Sequence, residues 1–269
     1  MSAATFLPGR VRTRLEHVWG TVVTLDVRDA DASDAAVDAA WESVRAELHR
    51  VDRVFSTFRE DSVISRLRRG GTHVVADDVA DVIDRCLEAR RLTRGAFDPW
   101  AVEGGFDPSG IVKGWAADRC AALVRAHGLR SFTIDAAGDL TCRGSADGTA
   151  ASGWPIGIAH PDDPQAVIAL VDVRDAAIAT SGTSQRGDHV RDPHAHAAAR
   201  GARQATVVGP DGALADALAT ALVVSGVEGA EWFAALPGWS GQVVVDDAVT
   251  SWGPAFTQET PHLKGAKER

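Results

Sequence analysis

The segment GIVKGWAADR, residues 110–119, places Lys113 between two glycines just before an apolar helical pattern. We predict that the helix begins near Trp115 and that the lysine lies in a turn at its N-terminus. Backbone N–H groups and the helix dipole favour an anion at such a position, and the ammonium adds to the attraction. The GxxxxGK[ST] spacing of a Walker A loop is absent. The segment therefore indicates either an anion-binding turn or an ordinary helix start with a solvated lysine.

Asp216 and Thr220 are four residues apart in ADALATAL, so both side chains lie on one face of a predicted helix. Carboxylate and hydroxyl oxygens suit a hard cation such as Mg²⁺, which takes oxygen ligands and keeps some waters. A solvent-facing Asp–Thr pair is the alternative. The rest of this helix is almost wholly apolar, which favours burial, and a buried carboxylate needs a partner.

A group of histidines near residue 190 could be imagined as a transition-metal site, with His189, Asp192, His194 and His196 as ligands. The surrounding sequence, DPHAHAAARGAR, is typical of a flexible Ala-rich loop, which would hold ligands poorly. A single histidine, His189, acting as a general base is the favoured interpretation, because imidazole titrates near neutral pH.

The composition restricts the class of protein. Of the 269 residues, 45% are hydrophobic and 24% are charged, which is ordinary for a soluble globular protein. The net charge of −9 lacks the basic excess of nucleic-acid binders, so no nucleic-acid partner is expected. The N-terminal segment lacks the apolar core of a signal peptide, and no window approaches the roughly 20 apolar residues of a membrane helix. We therefore expect a cytoplasmic protein without membrane insertion.

The first half of the chain is predicted to be mostly helical after one strand at Gly20–Asp29. A helix beginning at Ser33 has one continuous apolar face, formed by Val37, Trp41, Val44, Leu48, Val51 and Phe55. After a short helix ended by paired glycines, another helix carries Val79, Val82, Ile83, Cys86 and Leu87 on its apolar face. The helix from Trp115 is expected to end at His127, with Gly128 as its C-terminal cap.

The second half is predicted to be mainly β, with short β-prone runs between Gly, Pro and Asp residues, one strong helix in DGALADALATALVVSG and a last strand in QVVVDD. This is an α+β pattern without regular βαβ alternation. We expect one domain over residues 1–257 and a polar tail over 258–269. The cysteines are scattered and odd in number, which argues against disulfides or a zinc site, and Cys86 and Cys120 are predicted to be buried thiols.

Taken in order, these segments resemble the bacterial flavin transferases known as FAD:protein FMN transferases, the ApbE family. The family's LSTYRPDSEISRLN corresponds to VFSTFREDSVISRLR, its GxFDP to Gly95–Pro99, and its DLGGIAKGYAVDR to Asp107–Arg119. Its NAGGD corresponds to DAAGD, its ATSG to Ala179–Gly182 and its HIIDPxTG to HVRDPHAH, while ADALATAL is identical. The order matches from Trp19 to about Asp246, which is nearly the whole chain.

The resemblance implies an α+β fold of the ApbE type, related to T-folds, in which mixed sheet and helix lobes flank an FAD site. It implies Mg²⁺-dependent transfer of FMN from FAD to a Thr or Ser hydroxyl of an acceptor flavoprotein with a flavinylation motif, and release of AMP. The metal ligands implied are Asp216, Thr220 and the backbone carbonyl of Gly110. The FAD contacts implied are Phe58, Ala96, Phe97, Asp98, Asp107, Lys113, Thr180, Ser181 and Gly182, and His189 is the candidate base.

Several positions depart from the family's motifs: Pro108-Ser109 replace Leu-Gly, Asp135 and Ala137 replace Asn and Gly, and Ala195-His196 replace the Thr-Gly after DPx. The segment between the two FDP sequences is also much shorter than in the longer members. Two alternative hypotheses remain open. One is a Mg²⁺-dependent FAD pyrophosphatase in which water replaces the hydroxyl nucleophile, and the other is a non-catalytic FAD-binding protein.

Overall fold

A computed structural model describes residues 11–71, 76–149, 152–183 and 190–256. Within them, eight strands form an antiparallel sheet in the order β1-β2-β3-β4-β7-β10-β11-β12. These strands are β1 (Arg12–Val18), β2 (Thr21–Val27), β3 (Phe132–Ala136), β4 (Asp139–Arg143), β7 (Ala177–Gly182), β10 (Gln204–Gly209), β11 (Ser240–Val245) and β12 (Ala248–Trp252). Two separate hairpins are formed by β5 (Trp154–Ala159) with β6 (Val167–Val173), and by β8 (Arg191–Asp192) with β9 (Ala197–Ala198).

The described part of the chain also contains α-helices and short 3-10 turns. The helices are α1 (Asp34–Phe55), α2 (Val63–Arg68), α3 (Asp77–Leu92), α4 (Ser109–Ala126), α5 (Gly212–Ser225) and α6 (Ala230–Phe233), and the 3-10 turns are Gly226–Gly229 and Pro254–Phe256. Ser33 caps α1 and Asp211 caps α5, each by accepting a hydrogen bond from a backbone N–H of the first turn. This architecture confirms the α+β prediction.

The helices pack on one face of the large sheet. Helices α1 and α4 cover β1, β2 and β3 through a core that includes Trp41, Leu48, Leu25 and Phe132. Helices α3, α4 and α5 cover β7, β10 and β11 through a second core of mostly small residues. Because α4 contributes to both cores, its position relative to α5 and to the sheet is fixed from several directions.

The hairpin β5–β6 covers part of the opposite face. Its apolar residues pack against Cys142, Ile178 and Val208, whose side chains point away from the helices. Successive strand residues point to opposite faces, so the neighbours Ala177 and Ala179 face the helical side. The central strands therefore have apolar cover on both faces.

Most predicted elements are present, with several differences. QVVVDD, predicted to be the last strand, is followed by β12, and the short strands β8 and β9 were not predicted. Strand β1 was not predicted; its alternating charged residues pair with partners on α1, as in the Arg14–Asp38 ion pair. Helix α4 begins at Ser109 rather than near Trp115, because Asp107 accepts a hydrogen bond from the Ser109 N–H and stabilises the first turn. Leu87, predicted to face the core, is exposed. Cys86 and Cys120 are buried, as predicted. The expected tail lies outside the described residues.

One apolar segment in the described part of the chain, Gly212–Phe233, has the length and composition of a membrane-spanning helix, contrary to the prediction that no such window exists. Its most apolar part is α5, in which Leu218 and Leu222 are fully buried against the sheet. Since 67% of its most apolar window is buried inside the protein, the core of the fold explains its hydropathy.

The turn between β3 and β4 contains a conformation that its sequence does not favour. Ala136 pairs with Asp139, so Ala137 and Gly138 form a two-residue turn, and their φ angles are 63° and 94°. Such turns favour Asn-Gly, because a left-handed φ is unfavourable for alanine.

We expect Ala137→Asn to raise the free energy of unfolding by roughly 0.5–1 kcal/mol, measured by urea denaturation. Ala122→Asn on the exposed face of α4 is the control and should be destabilising. Destabilisation by Ala137→Asn would contradict the assignment of the turn.

Candidate functional site

The centre of the candidate site is an ammonium group between two buried carboxylates. Lys113, in the second turn of α4, forms an ion pair with Asp139 at the start of β4. Its Nζ atom also lies 3.4 Å from Oδ2 of Asp216 on α5. Asp139 and Asp216 are 5% and 4% exposed, so both charges depend on neighbouring groups rather than on solvent. Three elements from distant parts of the chain therefore meet at Lys113.

The neighbouring carboxylates keep Lys113 protonated. Burial alone would lower the pKa of Lys113, but the carboxylates of Asp216 and Asp139 outweigh burial and raise that pKa above its usual value. One ammonium against two carboxylates leaves a formal charge of −1. Asp135 lies nearby, and its pKa is raised by burial and by the negative charge of Asp139. The cluster therefore keeps a permanent cation and a residual negative charge.

Hydroxyl groups lie next to this charged cluster. Thr220, one turn after Asp216 on α5, has its Oγ1 atom 3.1 Å from Oγ of Ser181 on β7. The neighbouring Thr180 donates its backbone N–H to Oδ1 of Asp139 at 3.2 Å. The predicted pair of Asp216 and Thr220 thus faces β7, whose residues 180–182 are among the FAD contacts that the resemblance implies. The alternative of a solvent-facing pair is wrong, because Asp216 is buried and Thr220 is partly buried.

The two FDP sequences form turns close to the start of α4. Asp98 accepts a hydrogen bond from the Trp100 N–H and pairs with Arg90, and Asp107 accepts one from the Ser109 N–H. Phe97 is buried, and its ring packs directly against Gly110. A Cβ atom added to that glycine would lie only 2.9 Å from the ring. The structure therefore brings Phe97, Asp107 and Gly110 together near the Lys113 end of α4.

The other predicted site residues are more scattered. Phe58 is 97% exposed in the loop after α1, so a whole ring face is available for contact. His189 lies outside the described residues. Asp192 accepts hydrogen bonds from the N–H groups of His194 and Ala195 in the β8–β9 turn, so this segment is a tight hairpin rather than the predicted flexible loop. Among the described residues no group of three or more His, Cys, Asp or Glu side chains is arranged to hold a metal ion.

Helices α4 and α5 meet through two glycines. A Cβ atom added to Gly114 would lie 2.0 Å from the carbonyl oxygen of Gly212, and one added to Gly212 would lie 2.9 Å from that of Gly114. Only hydrogen atoms fit in this contact, so the two backbones touch. Lys113 is adjacent to this contact in α4, and Asp216 follows it by one turn in α5. Gly114, the second glycine of GIVKG, thus allows the ammonium of Lys113 to approach the carboxylate of Asp216.

The oxygen atoms present fit a hard divalent cation. Asp216 supplies a carboxylate, Thr220 a hydroxyl and Gly110 a backbone carbonyl, and Mg²⁺ sites typically combine one or two carboxylates with neutral oxygens and substrate phosphates. The residual negative charge of the cluster also favours a cation.

Two acidic residues were missed by sequence reasoning, one in the Lys113 cluster and one outside it that contacts the start of α5. Asp139 was part of the DAAGD segment but received no role, although an acidic residue at the start of a β run is a signal for a buried charge that needs a partner. Asp118 was also given no role. Gly110, Gly114 and Asp118 recur every four residues, which places them on one helical face and could have identified that carboxylate.

Comparisons with known proteins agree on one family. The model of the ApbE family matches residues 19–104 and 101–240 of this chain. The FAD:protein FMN transferase of Klebsiella pneumoniae (strain 342) is 25% identical over 295 residues, which cover 86% of this chain and 81% of that protein. The protein of the same name from Vibrio cholerae serotype O1 is 30% identical over 242 residues, covering 67% and 72%.

Solved structures have the same fold. The flavin transferase ApbE from Vibrio cholerae superposes with a TM-score of 0.76 at 22% identity, covering 90% of this chain and 97% of that chain. The ApbE protein from Thermotoga maritima superposes with a TM-score of 0.78 at 23% identity, covering 90% and 96%. These similarities confirm the ApbE-type α+β fold.

Replacing Lys113 tests whether its ammonium is needed to keep two carboxylates in the interior. Lys113→Met leaves Asp139 and Asp216 buried without their shared cation, and such a loss typically costs about 3–5 kcal/mol. We expect the free energy of unfolding to fall by that amount in urea denaturation at pH 7. Lys113→Met combined with Asp139→Asn should recover part of the loss. A change below about 1 kcal/mol would contradict a buried ion network.

The pH dependence of this difference follows from the raised pKa of Lys113. The stabilisation is fully present below the pKa of lysine in the unfolded chain, about 10.4, and is lost as pH rises through the higher folded-state value. The contribution of the Lys113 charge to the stability of the wild type should therefore stay constant between roughly pH 7 and pH 9. In Lys113→Met the carboxylates that remain buried should bind protons as the pH falls, so the difference between the two proteins should become smaller at lower pH.

Replacing Gly114 tests the contact between α4 and α5. Gly114→Ala forces the two backbones apart, and overpacking of this kind typically costs about 1–3 kcal/mol, more than alanine gains in helix propensity. We expect the melting temperature to fall. Ala122→Gly, at an exposed position of the same helix, measures the propensity difference alone. A Gly114→Ala variant that is more stable than wild type would disprove the close contact.

Proposed function

Because this chain belongs to the ApbE family, we propose that it transfers FMN from FAD to a Thr or Ser hydroxyl of an acceptor flavoprotein and releases AMP. The observation that carries this proposal is the Lys113–Asp139–Asp216 cluster beside the hydroxyls of Ser181 and Thr220. These residues stand at the positions of the family's KG, NAGGD, ATSG and ADALATAL motifs. Relatives that share the motifs are FAD:protein FMN transferases, which supports the same reaction here.

FAD binding is assigned to the groups around Lys113. Once a divalent cation offsets the residual negative charge of the cluster, the ammonium of Lys113 suits an anionic diphosphate. The strand segment Thr180–Gly182 offers hydroxyl and backbone donors next to it. The Ala96–Asp98 segment and Asp107 lie at the start of α4, where first-turn N–H groups favour negative charge. The exposed ring of Phe58 is assigned to contact with an aromatic ring of FAD, since planar rings gain by stacking.

The reaction needs Mg²⁺ in this proposal, and Asp216, Thr220 and the Gly110 carbonyl would hold it. When bound, Mg²⁺ would neutralise the charge that develops on the diphosphate oxygens. The protein's own residues share this task, because the ammonium of Lys113 is fixed by Asp139 and Asp216 before FAD arrives. A charge that is already oriented needs no reorganisation during the reaction.

The transfer step is a displacement at the phosphorus atom of the FMN half. The acceptor hydroxyl oxygen forms a new P–O bond, while the bond between this phosphorus and the bridging oxygen breaks, so that AMP leaves with that oxygen. The hydroxyl proton passes to a base. His189, in the position that the family's HIIDP motif assigns, is the candidate for that role, because imidazole accepts a proton near neutral pH.

Asp216→Ala tests the proposal directly. The purified chain, incubated with FAD, Mg²⁺ and a candidate acceptor flavoprotein, should give a fluorescent acceptor on a denaturing gel and one AMP per flavin transferred. Removing the Asp216 carboxylate should slow transfer by at least about 100-fold, since a metal ligand supplies several kcal/mol of charge stabilisation. Asp247→Ala, an exposed carboxylate in the β11–β12 turn, is the matched control and should keep wild-type activity.

The products separate the transferase from its alternatives. Free FMN and AMP formed without an acceptor, as fast as transfer, would identify an FAD pyrophosphatase. FAD retained without any AMP release in Mg²⁺ would identify a binding protein. Mass spectrometry of the acceptor, with the added FMN located on a Thr or Ser residue, would establish the phosphoester linkage.

A further inference from the structure

Asp118 joins three elements that carry site residues, although it lies outside the cluster around Lys113. One carboxylate oxygen, Oδ2, accepts a hydrogen bond from the N–H of Gly212 at 2.7 Å. The other, Oδ1, accepts from Arg143 at 2.9 Å and from the Thr141 hydroxyl at 3.2 Å. Asp118 is on α4, Gly212 begins α5, and the other two donors are on β4. These elements are the ones that carry Lys113, Asp216 and Asp139.

The contact with Gly212 fixes the start of α5. The first N–H groups of a helix have no partner within the helix, and a negative charge is favourable at that end. Asp118 satisfies one of these groups immediately beside the backbone contact of Gly114 with Gly212. Helix α5 is therefore held at its first residue by both a hydrogen bond and a steric stop.

The spacing of residues along α4 and α5 relates the contact at Gly212 to the position of the site residues. On α4, Gly110, Gly114 and Asp118 recur every four residues, and on α5 the same spacing relates Gly212, Asp216 and Thr220. Each set lies along one face of its helix. Because α5 is rigid, any shift of the helix at Gly212 also moves the carboxylate of Asp216, one turn later, and the hydroxyl of Thr220, two turns later.

We propose that Asp118 is a positioning residue, which clamps α5 and β4 to α4 so that Asp216 and Thr220 are held at the correct distance from Lys113 and Gly110. The proposal rests on the proposed function, because it treats Asp216 and Thr220 as ligands of a divalent cation. The supporting groups of metal ligands typically contribute 10–100-fold to affinity. The clamp also has an energetic cost, since burial raises the pKa of Asp118 even though Gly212 and Arg143 stabilise its ionised form.

Asp175 provides a matched control. It also accepts hydrogen bonds from an arginine and a backbone N–H, at 2.6 Å from Arg125 and 3.1 Å from Gly144. It joins the end of α4 to the segment after β4 but touches neither α5 nor the Lys113 cluster. Asp118→Asn and Asp175→Asn therefore remove the same charge from a carboxylate that accepts from an arginine and a backbone N–H, and only the first removes it from the clamp. The Asp175 side chain is the more exposed of the two, at 47% against 26%.

The test measures cation binding in the full chain, with Mn²⁺ as a spectroscopic probe. Electron paramagnetic resonance reports free Mn²⁺ during titration of the protein in the presence of FAD, and flavin fluorescence reports FAD binding. We expect Asp118→Asn to weaken Mn²⁺ binding roughly 10–100-fold, and Asp175→Asn to change it less than about two-fold. Thr141→Val, which removes one hydrogen bond and no charge, should weaken Mn²⁺ binding roughly two- to five-fold and serves if Asp118→Asn does not fold.

The outcomes separate the clamp from the function on which it rests. Wild-type binding of Mn²⁺ and FAD, with unchanged Mn²⁺ affinity in Asp118→Asn or Thr141→Val, would overturn the positioning role and leave the proposed function intact. A lower melting temperature without a change in Mn²⁺ affinity would overturn it as well, because it shows a purely structural role. Failure of the wild-type chain to bind either Mn²⁺ or FAD would overturn the proposed function and the clamp with it.

Discussion

The direct backbone contact between α4 and α5 is the constraint on which the rest of the site depends. Gly114 and Gly212 allow the two helices to approach more closely than any pair of side chains would permit. This approach brings Lys113 and Asp216, from helices about a hundred residues apart in sequence, to 3.4 Å. The sheet completes the arrangement, because β4 and β7 pack beneath the same two helices and supply Asp139 and Ser181.

The charges at this contact are difficult to explain by stability alone. A buried ion network seldom stabilises a fold more than apolar residues of similar size would, because desolvation offsets the attraction. The core on this side of the sheet, which includes Ala116, Ala179 and Ala217, is otherwise apolar. Retaining three ionised groups there is typical of functional sites, where fixed charges are used to bind or stabilise charged groups.

Local patterns predicted much of the fold, because helices and turns are determined by residues close in sequence. The apolar face of α1 and the burial of α5 both follow from spacings of three to four residues. Strand β1 was missed, since its inward positions carry charged residues such as Arg14 rather than apolar ones. Its identity as a strand depends on pairing with β2 and on partners from α1.

The geometry of the site could be predicted only in part. Asp216 and Thr220 were recognised as a pair because they share one helix. The partners that neutralise Asp216 belong to other elements, and neither helical nor strand periodicity relates Lys113 to Asp139. The start of α4 was placed too late for a different reason. Gly114 weakens the helical signal of its segment, and only the contact with Gly212 shows why a glycine is needed inside that helix.

The departures from the family's motifs before α4 are accommodated by the local hydrogen bonding. Pro108 precedes the first helical residue, where its missing N–H removes no helical hydrogen bond, and its carbonyl accepts from the Val112 N–H at 3.0 Å. The short loop between the two FDP sequences is closed by the Asp107 N–H, which donates to the Pro99 carbonyl at 2.8 Å.

This local structure fixes the orientation of the Gly110 carbonyl. Gly110 belongs to the first turn of a helix rather than to a free loop, so its carbonyl is oriented by the helix axis and does not depend on the identity of the preceding side chains. A backbone carbonyl has two lone pairs, and a helical hydrogen bond occupies one of them. The replacement of Leu-Gly by Pro-Ser therefore leaves Gly110 able to accept a further partner, since the helix, and not the replaced side chains, fixes its orientation.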